Sequence, residues 1–317
     1  MDQDADVSRL MGGDLGTWLD EQAGMRQAAK DKAASRWTKS AMIAMPILAF
    51  LWFGPNWDIG LKFFITGGVA IAGGIWGYLP IGEAKRSIKI GINSAIAREL
   101  GLNYEHDVEP GAEFELAKTY KLLPGFSRSG FEDHWFGTLE GHGFGLYEAH
   151  LEVQRGSGKN RRWVTVFRGA IIRMEFGRSF YSTTLLQRAG KTKKWFGLGG
   201  RKEQAKFGGH ELSYVDHVHP DFEDVFEVYS DDAVESRVLV HPTYIEHLIG
   251  IERAFNGDAV RALFTKGEVI IAVESGNLFE SGHIDAAGDA DRVAKSSQQF
   301  GSLTKLALAI NQAPRGG

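Results

Sequence analysis

Hydrophobic residues follow two regimes along this chain. Up to about residue 82 they run together; beyond it they alternate or recur at helical spacing. Between Lys39 and Asp58 lie 18 uncharged residues, SAMIAMPILAFLWFGPNW, and between Lys62 and Glu83 lie 20 more, FFITGGVAIAGGIWGYLPIG. At 1.5 Å per residue, helices of that length cross about 30 Å of hydrocarbon. Pro46, costly inside a soluble helix, is tolerated in a membrane-spanning one. The breaker-rich link GPNWDIG predicts a tight helical hairpin. Gly67, Gly68, Gly73 and Gly74 are expected to let its two helices approach closely. Cations flank the pair on one side: Arg26, Lys30, Lys32, Arg36 and Lys39 before it, and Lys85, Arg86 and Lys89 after it. The link carries only Asp58 and Lys62, so positive-inside bias predicts both termini in the cytoplasm. Trp37, Trp52, Trp57, Trp76 and Tyr78 fall near the expected interfaces. The mostly polar residues before the first span argue against a cleaved signal peptide.

After the hairpin, GEAKRSIKIGINSAIARELG places Ile88, Ile92, Ala95, Ile96 and Leu100 on one helix face, with Gly101 as its cap. LYEAHLEV then alternates, and LEGHGF before it is a hairpin tip. RWVTVFRGAIIRMEF and FYSTTLLQR are further strands, rich in β-branched and aromatic residues. FEDVFEVY is another, with SDDAVES a turn leading to the next strand. Pro242 opens a helix that turns Ile245, Leu248, Ile249 and Phe255 inward and ends at Asn256-Gly257. VRALFTKGEVIIAVES is a hairpin with Lys266-Gly267 at its turn. From Asp289 to Gln312, Val293, Phe300, Leu303, Leu306 and Ile310 mark an amphipathic helix. The fold class expected is α+β: a two-helix transmembrane hairpin, then a cytosolic domain with a largely antiparallel sheet and flanking helices. The divisions expected are a polar, partly helical segment 1–36, the hairpin 37–82, the α+β domain 83–284, and a terminal amphipathic helix and tail 285–317. The core is expected to include Leu151, Phe167, Ile171, Val238, Leu248, Ile270 and Val273.

Composition narrows the chemistry. The chain has 317 residues, a net charge of −4 and no cysteine. Disulfides and thiolate metal sites are therefore excluded, and the charge argues against a dedicated nucleic-acid binder. The run RGSGKNRR invites comparison with a phosphate loop. Its first glycine would fall at Val153 and its magnesium-binding hydroxyl at Asn160, so the pattern fails. It also joins strand to strand, without the helix N-terminus that a phosphate cradle uses. It is expected to be a hairpin loop with a basic tip.

Three other stretches carry candidate chemistry. In HELSYVDHVHPD, His217 and His219 would share a strand face, with Asp216, Asp221 and His210 nearby, and such imidazoles with a carboxylate suit zinc. The blander expectation is a polar loop before Pro220. Asp231, Asp232 and Glu235, with Asp224 and Glu227 upstream, are carboxylates that could do acid–base work if burial separated their pKa values. Asp and Ser also favour such turn positions by bonding local backbone. The third is Lys191, Lys193, Lys194, Trp195, Phe196, Arg201 and Lys202, a glycine-flanked basic and aromatic loop. It is either a solvated insertion or a contact for anionic lipid. No GxSxG elbow, HExxH motif or cysteine nucleophile occurs.

The segments LLPGFSRSGFEDHWFGTLEGHGFGLYEAHLE, GSGKNRRWVTVFRGAIIRMEF, FEDVFEVYSDDAVESRVLVHPTYIEHL and VIIAVESGNLFESG, in this order behind a two-helix anchor, resemble the bacterial membrane-anchored family catalogued as domain of unknown function 3137. The resemblance spans roughly residues 85–285. It implies a bacterial inner-membrane protein with a cytosolic domain and brings no catalytic residues with it. The function expected is a membrane-anchored module that binds anionic lipid or a protein partner at the cytoplasmic face, without cofactor or nucleic acid. The alternative is a membrane-tethered hydrolase or metal-dependent enzyme.

Overall fold

The computed structural model describes residues 12–177, 179–188, 204–216, 225–240 and 242–311. The chain divides into two compact units.

The first unit comprises Met1–Ala95 with Ser281–Ala294. It is built on two long helices, α1 (Asp14–Phe53) and α2 (Ile59–Glu99), the latter running on past Ala95. The expected hairpin is present as a helical pair, and helix extends well beyond both apolar stretches. Asp58 starts α2, its Oδ1 accepting from Gly60 N and Leu61 N at 2.8 and 3.2 Å. Pro46 and Pro80 lie within the helices. Trp52 Nε1 donates to Thr66 Oγ1 at 3.1 Å and its ring meets Phe63 edge-on. Close approach falls partly on other glycines than expected. A β-carbon at Gly77 would lie 1.9 Å from the Trp37 ring and one at Gly91 2.0 Å from Trp18. Gly73 does face Ser40, but Gly67, Gly68 and Gly74 have open space beside them. Arg26 and Asp289 form a buried ion pair at 2.6 Å. Among the described helices, α2 is long and apolar enough to cross a membrane, and its apolar stretch is unburied.

The second unit comprises Ile96–Glu280 with Lys295–Gly317. Its centre is a ten-stranded sheet with every neighbouring pair antiparallel. The strands are β1 (Leu102–Asp107), β2 (Arg128–Leu139), β3 (His142–Arg155), β4 (Arg162–Glu175), β5 (Thr184–Arg188), β6 (Gln204–Phe207), β7 (His210–Tyr214), β8 (Phe226–Ser230), β9 (Asp258–Thr265) and β10 (Glu268–Glu274). They lie in the order β1-β2-β3-β4-β10-β9-β5-β8-β7-β6. The helices are α3 (Ala112–Thr119), α4 (Ala233–Leu239), α5 (Pro242–Ala254) and α6 (Asp289–Asn311), of which the part from Lys295 belongs here. The expected hairpins turn on Glu140-Gly141 and Lys266-Gly267, all four at positive φ, as two-residue turns matching strand twist require.

Alternation along the strands produces two buried faces. Tyr147, Ala149, Leu151, Phe167, Ile171, Leu263 and Ile270 pack beneath Phe114 and Ala117 of α3 and Leu122-Leu123 after it. On the opposite face, Tyr244 of α5 packs on Phe264, and Phe300 of α6 packs on Trp135 and Phe279. Leu248, Leu303 and Leu306 are fully buried.

Two expectations change. SDDAVES does not lead into a strand: Asp232 caps α4, and Val238 is exposed rather than in the core. β1, α3 and β6 were not anticipated. The loop after β3 holds only a single 3-10 turn, Gly158–Asn160, before β4 begins. No phosphate-binding helix follows it.

Candidate functional site

One irregularity in the sheet creates the most chemically loaded place among the described residues. The β2–β3 pairing runs from Glu132↔Glu148 directly to Trp135↔Leu146, so Asp133 and His134 together face Tyr147. This is a β-bulge. Asp133 has φ 60°, a left-handed backbone that Asp tolerates better than most residues. The extra residue re-aims its neighbours. Trp135 packs on Tyr104, its partner in β1, while His134 stacks on Phe136 and meets Tyr147 edge-on.

The Asp133 carboxylate, fully buried, turns to β1. Tyr104 Oη donates to Asp133 Oδ1 at 2.6 Å, and His106 Nδ1 lies 3.1 Å from the same oxygen. The Glu132 carboxylate completes the group. One imidazole nitrogen and two carboxylate oxygens lie within 4.8 Å of one another.

His106 and Glu132 of this cluster line a cleft of about 280 Å³, together with Asp107, Glu148, His150 and Arg168, and Asp133 lies buried behind them. Three of the wall residues have defined partners. Glu148, almost fully buried, accepts from Leu278 N at 3.1 Å. His150 Nε2 lies 2.8 Å from Thr165 Oγ1. Arg168 donates to Asn277 Oδ1 and lies 3.7 Å from Glu132. Three lining carboxylates, Asp107, Glu132 and Glu148, against one guanidinium make the cleft acidic. Imidazole with carboxylates is a donor set that suits zinc or manganese, and the same groups suit proton transfer.

Beside the cleft, burial lowers the pKa of His134, partly opposed by Glu105 and Glu113. Burial holds the Tyr147 phenol well above its ordinary value, with Glu113 adding to the shift.

None of the described residues singled out from sequence lines this site. Lys191, Lys193, Lys194, Trp195, Phe196, Arg201 and Lys202 lie outside the described residues, as do His217, His219, Asp221 and Asp224. His210 stacks on Tyr120 in β7. The remaining acidic cluster is bound up in backbone contacts. Asp231 accepts from Thr183 N, and Asp232 caps α4 through Val234 N and Glu235 N. Glu235 accepts from Tyr181 N and Ser182 N. Burial raises the Glu235 pKa, but the bonds from Ser182 and Tyr181 outweigh it and leave the pKa lowered. Glu227 is buried beside Tyr229. The clue to the cleft was FEDHW, three ionisable residues between aromatics just ahead of the hairpin tip LEGHGF.

Residues 165–311 match the family described as a protein of unknown function, DUF3137. This bears out the family resemblance for that part of the chain. The match begins in β4, so the segment 122–152 that holds the bulge lies outside it. No curated protein matches the chain. Among solved structures, the crystal structure of the mycobacterial trehalose monomycolate transport factor A, TtfA, is similar at 10% identity and a TM-score of 0.34, covering 74% of this chain and 98% of that one.

Proposed function

We propose that this chain is a membrane-anchored binding module of the bacterial inner membrane. In this reading α1 and α2 cross the bilayer as a hairpin, both termini lie in the cytoplasm, and the α+β unit contacts anionic lipid or a protein partner there. The observation that carries it is the apolar surface of the helical pair. Met42, Phe50, Phe53, Phe64 and Ile71 are each more than half exposed, and the apolar stretch of α2 is unburied. Water penalises such a surface; hydrocarbon does not. Lys191, Lys193, Lys194, Trp195, Phe196, Arg201 and Lys202 remain the lipid or partner contact this reading favours. The test is extraction. The full chain should stay with membranes through an alkaline wash, and replacing Phe50, Phe64, Ile71 and Ile75 by Glu should release it. Recovery of the unaltered chain in the soluble fraction would overturn the reading.

The acidic cleft favours a second reading, a membrane-tethered metal-dependent enzyme, through His106, Glu132 and Asp133 rather than the histidines first considered. Calorimetric titration of the detergent-purified chain with zinc and manganese tests it. Heat lost in a His106→Ala/Glu132→Gln variant supports it, and no binding by the unaltered chain removes it.

A further inference from the structure

The β3–β4 hairpin is longer than the sheet that holds it. β2 stops pairing with β3 at Arg128↔Glu152, and β10 stops pairing with β4 at Glu274↔Gly169. The pairs Val153↔Val164, Gln154↔Trp163 and Arg155↔Arg162 therefore form a two-stranded ribbon with no third strand among the described residues on either side. From Val153 to Met174 the sequence contains six cations and no acidic residue. Four of the six, Arg155, Lys159, Arg161 and Arg162, stand exposed at the ribbon's end. Among the described residues none of the four is paired with a carboxylate; the local carboxylate, Glu152, is taken by Arg128. The Arg128 guanidinium also lies 4.4 Å over the Trp163 ring, which is itself exposed.

An isolated two-stranded ribbon is marginally stable, and four like charges at its tip repel one another. A structure that keeps both in a chain of net charge −4 points to a polyanionic partner. We propose that this ribbon docks on the headgroups of anionic lipids. Guanidinium forks suit phosphate oxygens, and the Trp163 indole, polar at one end and apolar over the ring, suits an interface. The net acidity of the chain favours a bilayer surface over nucleic acid, whose binding rests on extended positive charge. The inference rests on the membrane reading above, because tethering keeps the ribbon at high effective concentration near lipid. Each cation near an anionic surface multiplies partitioning roughly five-fold, and salt screens the attraction over about 8–10 Å.

The chain has no cysteine, so Ser157→Cys admits one fluorophore at the ribbon tip. The labelled full chain would be placed in lipid discs of phosphatidylcholine alone or with about 30% phosphatidylglycerol, each containing headgroup-spin-labelled lipid. Uptake into discs, read by gel filtration, tests the anchor separately. Given uptake, the label should be quenched several-fold more in the anionic discs. High salt, or Arg155, Lys159, Arg161 and Arg162 all changed to Gln, should remove the difference. Equal quenching in the two kinds of disc, or quenching that the four substitutions leave unchanged, would overturn the proposal. So would a label that responds to added single-stranded DNA but not to anionic discs. The substitutions lie on exposed tip positions, so retained melting temperature separates lost docking from lost folding.

Discussion

Asp133 and His134 together oppose the single residue Tyr147, because β2 carries one residue more than β3 at that point, and their side chains meet different partners. Asp133 is held by Tyr104 and lies against His106; His134 is pressed between Phe136 and Tyr147. The consequence for His134 is a pKa below the ordinary value near 6.5, with burial the leading cause. The sign follows from proton binding. Above about pH 6.5 the ring is neutral whether the chain is folded or not, and it contributes nothing to pH dependence. As pH falls through 6.5, the unfolded chain takes up the proton first, so stability declines until the folded pKa is passed. Thermal melting at pH 5 and pH 7.5 should therefore show a smaller acid-induced loss for His134→Gln than for the unaltered chain. An equal loss in both would mean that other groups govern the acid side.

Element-scale order rests on alternation and on helix faces, and these were largely legible. Leu248 is fully buried in α5 while Glu246, two residues earlier, is exposed. Leu248→Ala should lower stability by about 2–5 kcal/mol, the usual result of emptying a core position. Glu246→Ala should stay within about 0.5 kcal/mol. Denaturant titration of the two variants checks the pair, and equal midpoints would contradict the assigned face. Turns were legible where chemistry constrains them, as at Lys266-Gly267. Of the elements that were not legible, two show different reasons. β1, LNYEHD, is a short edge strand whose inward positions Leu102, Tyr104 and His106 are mostly polar, so it lacks the apolar alternation of the inner strands. α4 is seven residues long, and its start depends on Asp232 as a cap, a residue equally suited to a turn. Val238 was assigned to the core on strand alternation; in a short helix the same residue faces water. The cleft was hidden for a third reason. His106 and Asp133 are 27 residues apart and meet only through β1–β2 pairing, which no single segment encodes.

For the whole molecule, the decisive question is which side of a bilayer each part would occupy, and the structure sharpens the charge argument. Arg26 is neutralised by Asp289 inside a buried pair, so it adds little to the orienting charge. Lys30, Lys32 and Lys39 are exposed on α1, as is Arg86 on α2, whereas the link between the helices offers Lys62 against Asp58. Lys62 is further engaged, its Nζ donating to Trp52 O at 3.2 Å. The bias therefore survives the loss of Arg26 and still predicts that the link faces outward and the α+β unit inward. Native cysteines are absent, so single introduced ones report without background. Asn56→Cys, in the link, should react with a membrane-impermeant thiol reagent added to intact cells. Ser157→Cys, at the exposed tip of the β3–β4 ribbon, should react only after the cells are opened. Labelling of Ser157→Cys alone in intact cells would invert the orientation and place the ribbon's cations against the outer surface. Protection of both positions until lysis would leave the helical pair buried on the cytoplasmic side without crossing. Changing Lys30, Lys32 and Lys39 to Glu should weaken the bias in a graded way, with part of the population gaining label at residue 157. That would tie the orientation to the charges named here rather than to the length of the apolar stretches.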